Sequence, residues 1–163
     1  MDPRTLWVAV VGVLAVTAYA VLAALQILVL NPLAAVPGMT LDAIRAEAAL
    51  RGEEMGGIGV VVFLSVGVLL AVVVAAIAVR KALAPEATAL ILLSILFGGM
   101  PAYFAASFGT GMALADAFGI SGADYSRLSL VLYGTSVAAG LAAIVLAVVL
   151  ARRRDSQPAA APA

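Results

Sequence analysis

The chain contains no cysteine and no histidine among its 163 residues. Without cysteine there is no disulfide, no thiol redox centre and no thiolate-bound iron–sulfur cluster. Without histidine the usual zinc sites and histidine-ligated haem are also excluded, and no imidazole can serve as the base for a serine nucleophile. The sequence therefore predicts no metal, no cofactor and no enzyme activity. No nucleic-acid partner is expected either.

Charge is also scarce. Charged residues make up 11% of the chain and hydrophobic residues 65%, whereas soluble domains carry about 25% charged residues. The central run, 55–79, has no charged residue and ends at Arg80, and at about 1.5 Å per residue it exceeds the ~30 Å hydrocarbon core of a bilayer. With three similar runs, the sequence predicts transmembrane helices near 5–30, 57–79, 87–110 and 128–151.

The connections between these runs are short enough for neighbouring helices to pack antiparallel. We therefore expect an all-α fold, a four-transmembrane-helix bundle running up-down-up-down, as a single membrane domain over residues 1–154. The polar, proline-containing residues 155–163 are predicted to form a disordered cytoplasmic tail.

The net charge is zero, but the basic residues are unevenly placed. Six of the 9 lie on the side of the amino terminus, and the positive-inside rule then places both termini in the cytoplasm. Arginine far outnumbers lysine, and alanine, valine, glycine and leucine dominate, which is typical of a GC-rich bacterium. The expected location is a bacterial inner membrane.

A short helix is predicted between the first two transmembrane helices, on the extracytoplasmic side. Asn31-Pro32 is expected to end the first helix, because the residue before proline is pushed out of helical geometry. Thr40 then resembles an N-cap for a helix reaching Leu50. Its narrow apolar stripe consists of Leu41, Ile44 and Ala48. This stripe could lie on the bundle or on the membrane surface, or residues 40–54 could dock another membrane protein.

The third transmembrane helix contains Gly98, Gly99 and Pro101 near its midpoint. Pro101 lacks an N–H and its ring clashes with the carbonyl four residues earlier, so a kink is expected. Broken helices at membrane depth occur at transporter binding sites, but glycine and proline are also common in ordinary transmembrane helices. After residue 110, a separate interfacial turn of helix is predicted at 112–118.

The uncharged polar residues lie mainly in the outer half of the predicted bundle, and the inner half is aliphatic. A candidate polar pocket and hinge consists of Gln26, Ser65, Gly98, Gly99, Pro101, Tyr103, Ser107, Tyr133 and Ser136. The alternative is that these groups only form hydrogen bonds between helices. The outer carboxylates, Asp124 among them, are expected to be solvated.

Two functions are compatible with this pattern. The spans contain no ionised residue, which argues against a proton-coupled pump, and a pore for polar solutes needs a polar lining along its whole length. We expect an accessory or structural membrane protein acting through contacts with proteins or membrane lipids. The alternative is a small transporter or channel subunit that uses the kinked helix and the polar pocket. The oligomeric state stays open.

Overall fold

The computed structural model describes residues 2–155. Apart from the backbone of Asp155, the predicted tail lies outside the described residues. Every regular element in the described part of the chain is helical, and this confirms the all-α prediction. The elements are α1 (Pro3–Leu25), a π-helical segment (Gln26–Leu30), α2 (Asn31–Ala35), α3 (Leu41–Leu50), α4 (Gly57–Arg80), α5 (Pro85–Phe97), α6 (Gly99–Phe118) and α7 (Leu128–Asp155).

These elements form four helices that are long and apolar enough to cross a membrane. We call them spans 1 to 4: Pro3–Ala35, Gly57–Arg80, Pro85–Phe118 and Leu128–Arg153. Spans 1 and 3 have 33 and 34 residues, or roughly 50 Å of helix at ~1.5 Å per residue. Because this exceeds the ~30 Å hydrocarbon core, both must tilt or extend beyond it.

Span 1 continues past the position at which it was predicted to end. Pro32 cannot donate to the carbonyl of Leu28, but the helix does not stop there. Instead the turn widens into the π-helical segment, where the Asn31 N–H bonds to the carbonyl oxygen of Gln26, five residues back. The freed oxygen of Leu28 accepts a hydrogen bond of 3.2 Å from Nη2 of Arg45. The prediction of a helix end at Asn31 was therefore wrong.

Span 3 is broken where the sequence predicts it. α5 ends at Phe97, α6 begins at Gly99, and the single residue between them is Gly98. The carbonyl of Phe97 is the one that Pro101 cannot reach. Next to it, the carbonyl oxygen of Leu96 accepts a hydrogen bond of 3.0 Å from Oγ of Ser136 in span 4.

The separate turn of helix predicted at 112–118 is absent, because α6 runs without interruption to Phe118. It ends at Gly119, which adopts φ 64° and ψ 32°, the left-handed conformation that glycine provides at a helix end. A Cβ on Gly111 would lie 3.2 Å from the carbonyl oxygen of Gly122. Gly111 therefore does not end the helix. Its lack of a side chain allows the connection after α6 to pack closely against α6.

The short helix α3 forms as predicted. Oγ1 of Thr40 accepts a hydrogen bond of 3.3 Å from the N–H of Ala43 and caps its first turn. Ile44 and Ala48, two members of its apolar stripe, are fully buried, and the helix packs against α6. Of the alternatives for this stripe, packing on the bundle is the one observed.

The spans approach one another closely where one helix presents a glycine. A Cβ on Gly12 of span 1 would lie 2.5 Å from Leu92, and one on Gly140 of span 4 would lie 2.6 Å from Phe97. Small residues at such contacts allow transmembrane helices to gain van der Waals packing. Span 1 thus packs against span 2 and α5, and α5 packs in turn against span 4.

The bundle has two distinct ends. Oγ1 of Thr5 donates a hydrogen bond of 2.9 Å to the carbonyl of Leu83, so the start of span 1 lies beside the turn between spans 2 and 3. We call this the basic end, since Arg4 and Arg80 lie there. The opposite end carries α3 and the connection 119–127, and we call it the loop end.

Candidate functional site

Polar side chains from three spans and one connection meet at the loop end. This loop-end cluster consists of Gln26, Asn31, Tyr103, Asp124 and Tyr133. Span 1 supplies the first two, α6 and span 4 supply the tyrosines, and the connection 119–127 supplies the aspartate. The cluster brings together three of the predicted pocket residues with two residues that were not predicted.

Asp124 joins the two tyrosines. The Tyr103 hydroxyl donates a hydrogen bond of 2.6 Å to Oδ1 of Asp124, and the Tyr133 hydroxyl lies 3.5 Å from Oδ2. The two rings contact edge to face, with centroids 5.4 Å apart and planes 82° apart. Tyr103 is fully buried, whereas Asp124 itself is exposed. Asp124 is thus exposed to solvent, as expected, and the structure adds a hydrogen bond from a buried tyrosine that the sequence did not reveal.

Asn31 binds the backbone of the same connection. Its Oδ1 accepts hydrogen bonds of 2.6 Å and 3.3 Å from the N–H groups of Tyr125 and Ser126. Its Nδ2 lies 3.5 Å from the carbonyl oxygen of Ala123. One buried amide thus bonds to three residues of an otherwise irregular segment: Ala123, Tyr125 and Ser126. These bonds satisfy its polar atoms, as burial requires.

Gln26 adds a fourth attachment. Its Nε2 donates a hydrogen bond of 3.3 Å to the carbonyl oxygen of Ser126, whereas its Oε1 is buried without a partner among the described residues. Together with Asn31 it fixes residues 123–126 over the end of the bundle. Residues 123–126 of the connection therefore lie over the end of the bundle at which the sequence predicted an outward-facing polar pocket.

Three other predicted residues lie deeper, around the break in span 3. Gly98 and Gly99 form the break, and Ser136 contacts it from span 4. A Cβ on Gly99 would lie 2.7 Å from Cε1 of Tyr19 and 3.2 Å from Oγ of Ser136. Gly99 is thus the residue that lets the Tyr19 ring and Ser136 reach the broken helix.

The remaining three predicted residues join neither group. Ser65 is exposed, and its Oγ donates a hydrogen bond of 2.7 Å to the carbonyl of Val62 in its own helix. Oγ of Ser107 likewise donates to the carbonyl of Phe104, at 3.0 Å. Pro101 lies on the exposed side of span 3. Serines that bond to their own helix backbone have no hydroxyl proton left for a neighbouring helix.

Sequence reasoning missed Asn31 and Asp124. Asn31 was read as part of a helix end, although a polar amide within an apolar run is itself a signal for an interhelical contact. Asp124 lies in a connection whose path the sequence does not reveal. Among the described residues, acidic side chains do not gather in groups of three or more that could hold a metal ion.

The four long apolar helices indicate a multi-pass membrane protein. Comparison of the chain with protein-family models, with curated proteins and with solved structures found no match. The role of the protein is therefore argued from its own residues.

Proposed function

We propose that this protein is an accessory membrane protein that acts through contacts with other membrane proteins and with lipids. The observation that supports this role is the engagement of Gln26, Asn31 and Tyr103 by the connection 123–126. These are the polar groups best placed to bind a solute. Because they hold the chain's own backbone and Asp124, their contribution is to the shape of the loop end.

We further propose an up-down-up-down bundle in the inner membrane of a bacterium, with both termini in the cytoplasm and α3 outside. The contact between Thr5 and Leu83 supports alternating helix directions. Arg4, Arg80 and Lys81 at the basic end support the orientation, because positively charged residues next to span ends are retained in the cytoplasm.

The exposed face of α3 is the surface proposed to meet a partner protein. Its other face is held rigidly by the burial of Ile44 and Ala48, and the bond from Arg45 to Leu28 attaches it to span 1. Leu50, at the end of α3, is 82% exposed. A helix that presents an apolar side chain to a groove of another protein is a recurring mode of recognition.

Site-specific cross-linking in the native membrane tests this role. A photoreactive residue at Ala46, on the exposed face of α3, is expected to cross-link to one membrane protein, and Leu50→Asp is expected to abolish that product. A photoreactive residue at Leu69, which faces outward from span 2, serves as the matched control and should cross-link to lipid. Failure of Ala46 to yield a protein product that depends on Leu50 would contradict the proposal.

The alternative role, a small transporter or channel subunit, is supported by one feature. A cavity of about 300 Å³ adjoins the break in span 3 and is lined by Tyr19, Phe63, Gly67 and Gly99. Its walls are almost entirely apolar, so they offer few ligands to a polar solute. Uptake into liposomes that is lost in Pro101→Ala and in Tyr103→Phe would favour this alternative over the accessory role.

A further inference from the structure

An apolar groove runs along the outside of the bundle in its basic half, between span 1 and α5. Its volume is about 380 Å³. The walls are formed by Trp7, Val11, Ala15, Ala89, Leu92 and Leu96. Because the groove lies on the outer surface of two helices that cross the membrane, it faces the hydrocarbon of the lipid.

The length of the groove corresponds to a large part of one leaflet. From Trp7 to Ala15 span 1 advances about 12 Å at ~1.5 Å per residue, and half of the bilayer's hydrocarbon core is about 15 Å. Trp7 is 69% exposed, as is typical of an aromatic residue at the membrane interface. At the other end, Leu96 lies two residues before the break at Gly98. The groove is thus long enough to hold most of one acyl chain of a lipid in the leaflet at the basic end.

The mouth of the groove carries one charge of each sign. A shallow depression lined by Arg4, Trp7, Glu86 and Ala89 shares its walls with the groove. Arg4 and Glu86 are both exposed. Neither takes part in the ion pairs found on α3, which join Arg45 to Asp42 and Arg51 to Glu47.

We propose that this groove and its mouth bind one phospholipid whose headgroup carries both a phosphate and a primary ammonium, as in phosphatidylethanolamine. The Arg4 guanidinium pairs with the phosphate, the Glu86 carboxylate accepts hydrogen bonds from the ammonium, and one acyl chain occupies the groove. The inference requires only that the spans lie in a bilayer, and it does not depend on the accessory role.

Charge complementarity selects this lipid over others. A guanidinium binds phosphate through several N–H groups, and a primary ammonium has three protons to donate, as a lysine side chain does. The quaternary ammonium of phosphatidylcholine has none, and an anionic headgroup leaves Glu86 without a partner. A second groove, between spans 1 and 2, has Arg80 at its mouth and no acidic residue. It lacks the paired charges and provides an internal comparison.

Native mass spectrometry of the full chain tests the proposal. The protein is reconstituted with equal amounts of phosphatidylethanolamine, phosphatidylcholine and phosphatidylglycerol, and the lipids that remain bound are counted. The wild type is expected to retain phosphatidylethanolamine about threefold over phosphatidylcholine, the ratio that one exposed charge pair supplies. Glu86→Gln should equalise the two lipids without changing the fold, because Glu86 is at the surface.

Ala89→Phe fills the groove near its mouth, and Ala76→Phe fills the second groove as the matched control. Ala89→Phe is expected to reduce the bound phosphatidylethanolamine severalfold, while Ala76→Phe keeps the preference for phosphatidylethanolamine. Equal retention of the two zwitterionic lipids by the wild type overturns the proposal, as does a preference for phosphatidylglycerol. A dimer that dissociates in Ala89→Phe with unchanged bound lipid also overturns it, because a second copy of the chain would then occupy the groove.

Discussion

The hydroxyl of Tyr103, which is fully buried in the third span, donates a 2.6 Å hydrogen bond to Oδ1 of Asp124 in the connection to the fourth span. The pair links the interior of the bundle to the segment that covers it. A hydrogen bond to an ionised acceptor is shorter and stronger than one between neutral groups. The bond therefore explains how a segment with little regular structure keeps a fixed position over the loop end.

Removing the Tyr103 hydroxyl is expected to destabilise the bundle. Tyr103→Phe deletes the donor and should lower the free energy of unfolding by about 1.5–3 kcal/mol, the range for a hydrogen bond to a charged group. Unfolding by titration with a denaturing detergent measures the change. Tyr125→Phe is the control, because its hydroxyl bonds only to Ser121 near the surface. Equal stability of the two variants would show that the bond to Asp124 contributes nothing.

Replacing Asn31 should release the connection at two named amides. Asn31→Leu leaves the N–H groups of Tyr125 and Ser126 without the acceptor that they now share. Their hydrogen exchange should become at least about fivefold faster, since a lost buried hydrogen bond costs roughly 1–3 kcal/mol. Ser65→Ala, which removes a hydroxyl bonded within its own helix, should leave this exchange unchanged. Protection that persists in Asn31→Leu would contradict the assigned contacts.

Two glycines of α6 predict opposite effects of the same substitution. Gly99→Ala places a Cβ 2.7 Å from the Tyr19 ring and should destabilise by about 1–3 kcal/mol through overpacking. A Cβ on Gly109 meets no atom within 4 Å, so Gly109→Ala should stabilise by about 0.5–1 kcal/mol through helix propensity. Thermal unfolding in mild detergent distinguishes them. A gain of stability in Gly99→Ala would mean that the break is not packed as described.

The hydrogen bond from Arg45 to the Leu28 carbonyl is expected to stabilise the protein because Pro32 has no N–H to offer that carbonyl. Arg45→Ala is expected to cost about 0.5–1 kcal/mol in the wild type, the usual net value of one hydrogen bond. In a Pro32→Ala background the helix can satisfy the carbonyl itself, and the cost should fall toward zero. A double-mutant cycle measures this coupling. Identical costs in both backgrounds would show that the contribution of Arg45 to stability does not depend on Pro32.

The apolar spans could be predicted from sequence because lipid imposes a simple requirement. Some twenty apolar residues without charge suffice to form a span, whatever they contact. The cap at Thr40 and the break near Pro101 were predictable for a similar reason, since their causes lie within four residues along the chain.

The ends of spans 1 and 3 could not be predicted in this way. Proline at position 32 normally ends a helix, but the acceptor that it frees is satisfied by Arg45, seventeen residues away in sequence. The glycines at 109 and 111 suggest an end for span 3, yet α6 continues to Phe118. In both cases a residue distant in sequence lies against the position at which the helix continues: Arg45 at Leu28, and Gly122 at Gly111.

The loop-end cluster depends even more on distant residues. Asn31 meets Tyr125 across 94 positions of sequence, and Gln26 meets Ser126 across 100. Periodicity and composition carry no information about which residues a connecting segment will cover. Depth along the spans is the criterion that the sequence offers for a polar pocket. It groups Ser65 and Ser107 with Gln26, although both serines bond only to their own helices.

The central claim is that the chain crosses the bilayer four times around a core that water does not enter. The chain has no cysteine, so single cysteines can be introduced at Glu54, Lys81 and Ser136 and labelled in intact cells with a membrane-impermeant maleimide. The account predicts that Glu54→Cys reacts at once, that Lys81→Cys reacts only after permeabilisation, and that Ser136→Cys, fully buried among the spans, stays unreactive in both conditions. Labelling of Ser136→Cys in intact cells, or equal labelling of the other two, would contradict it.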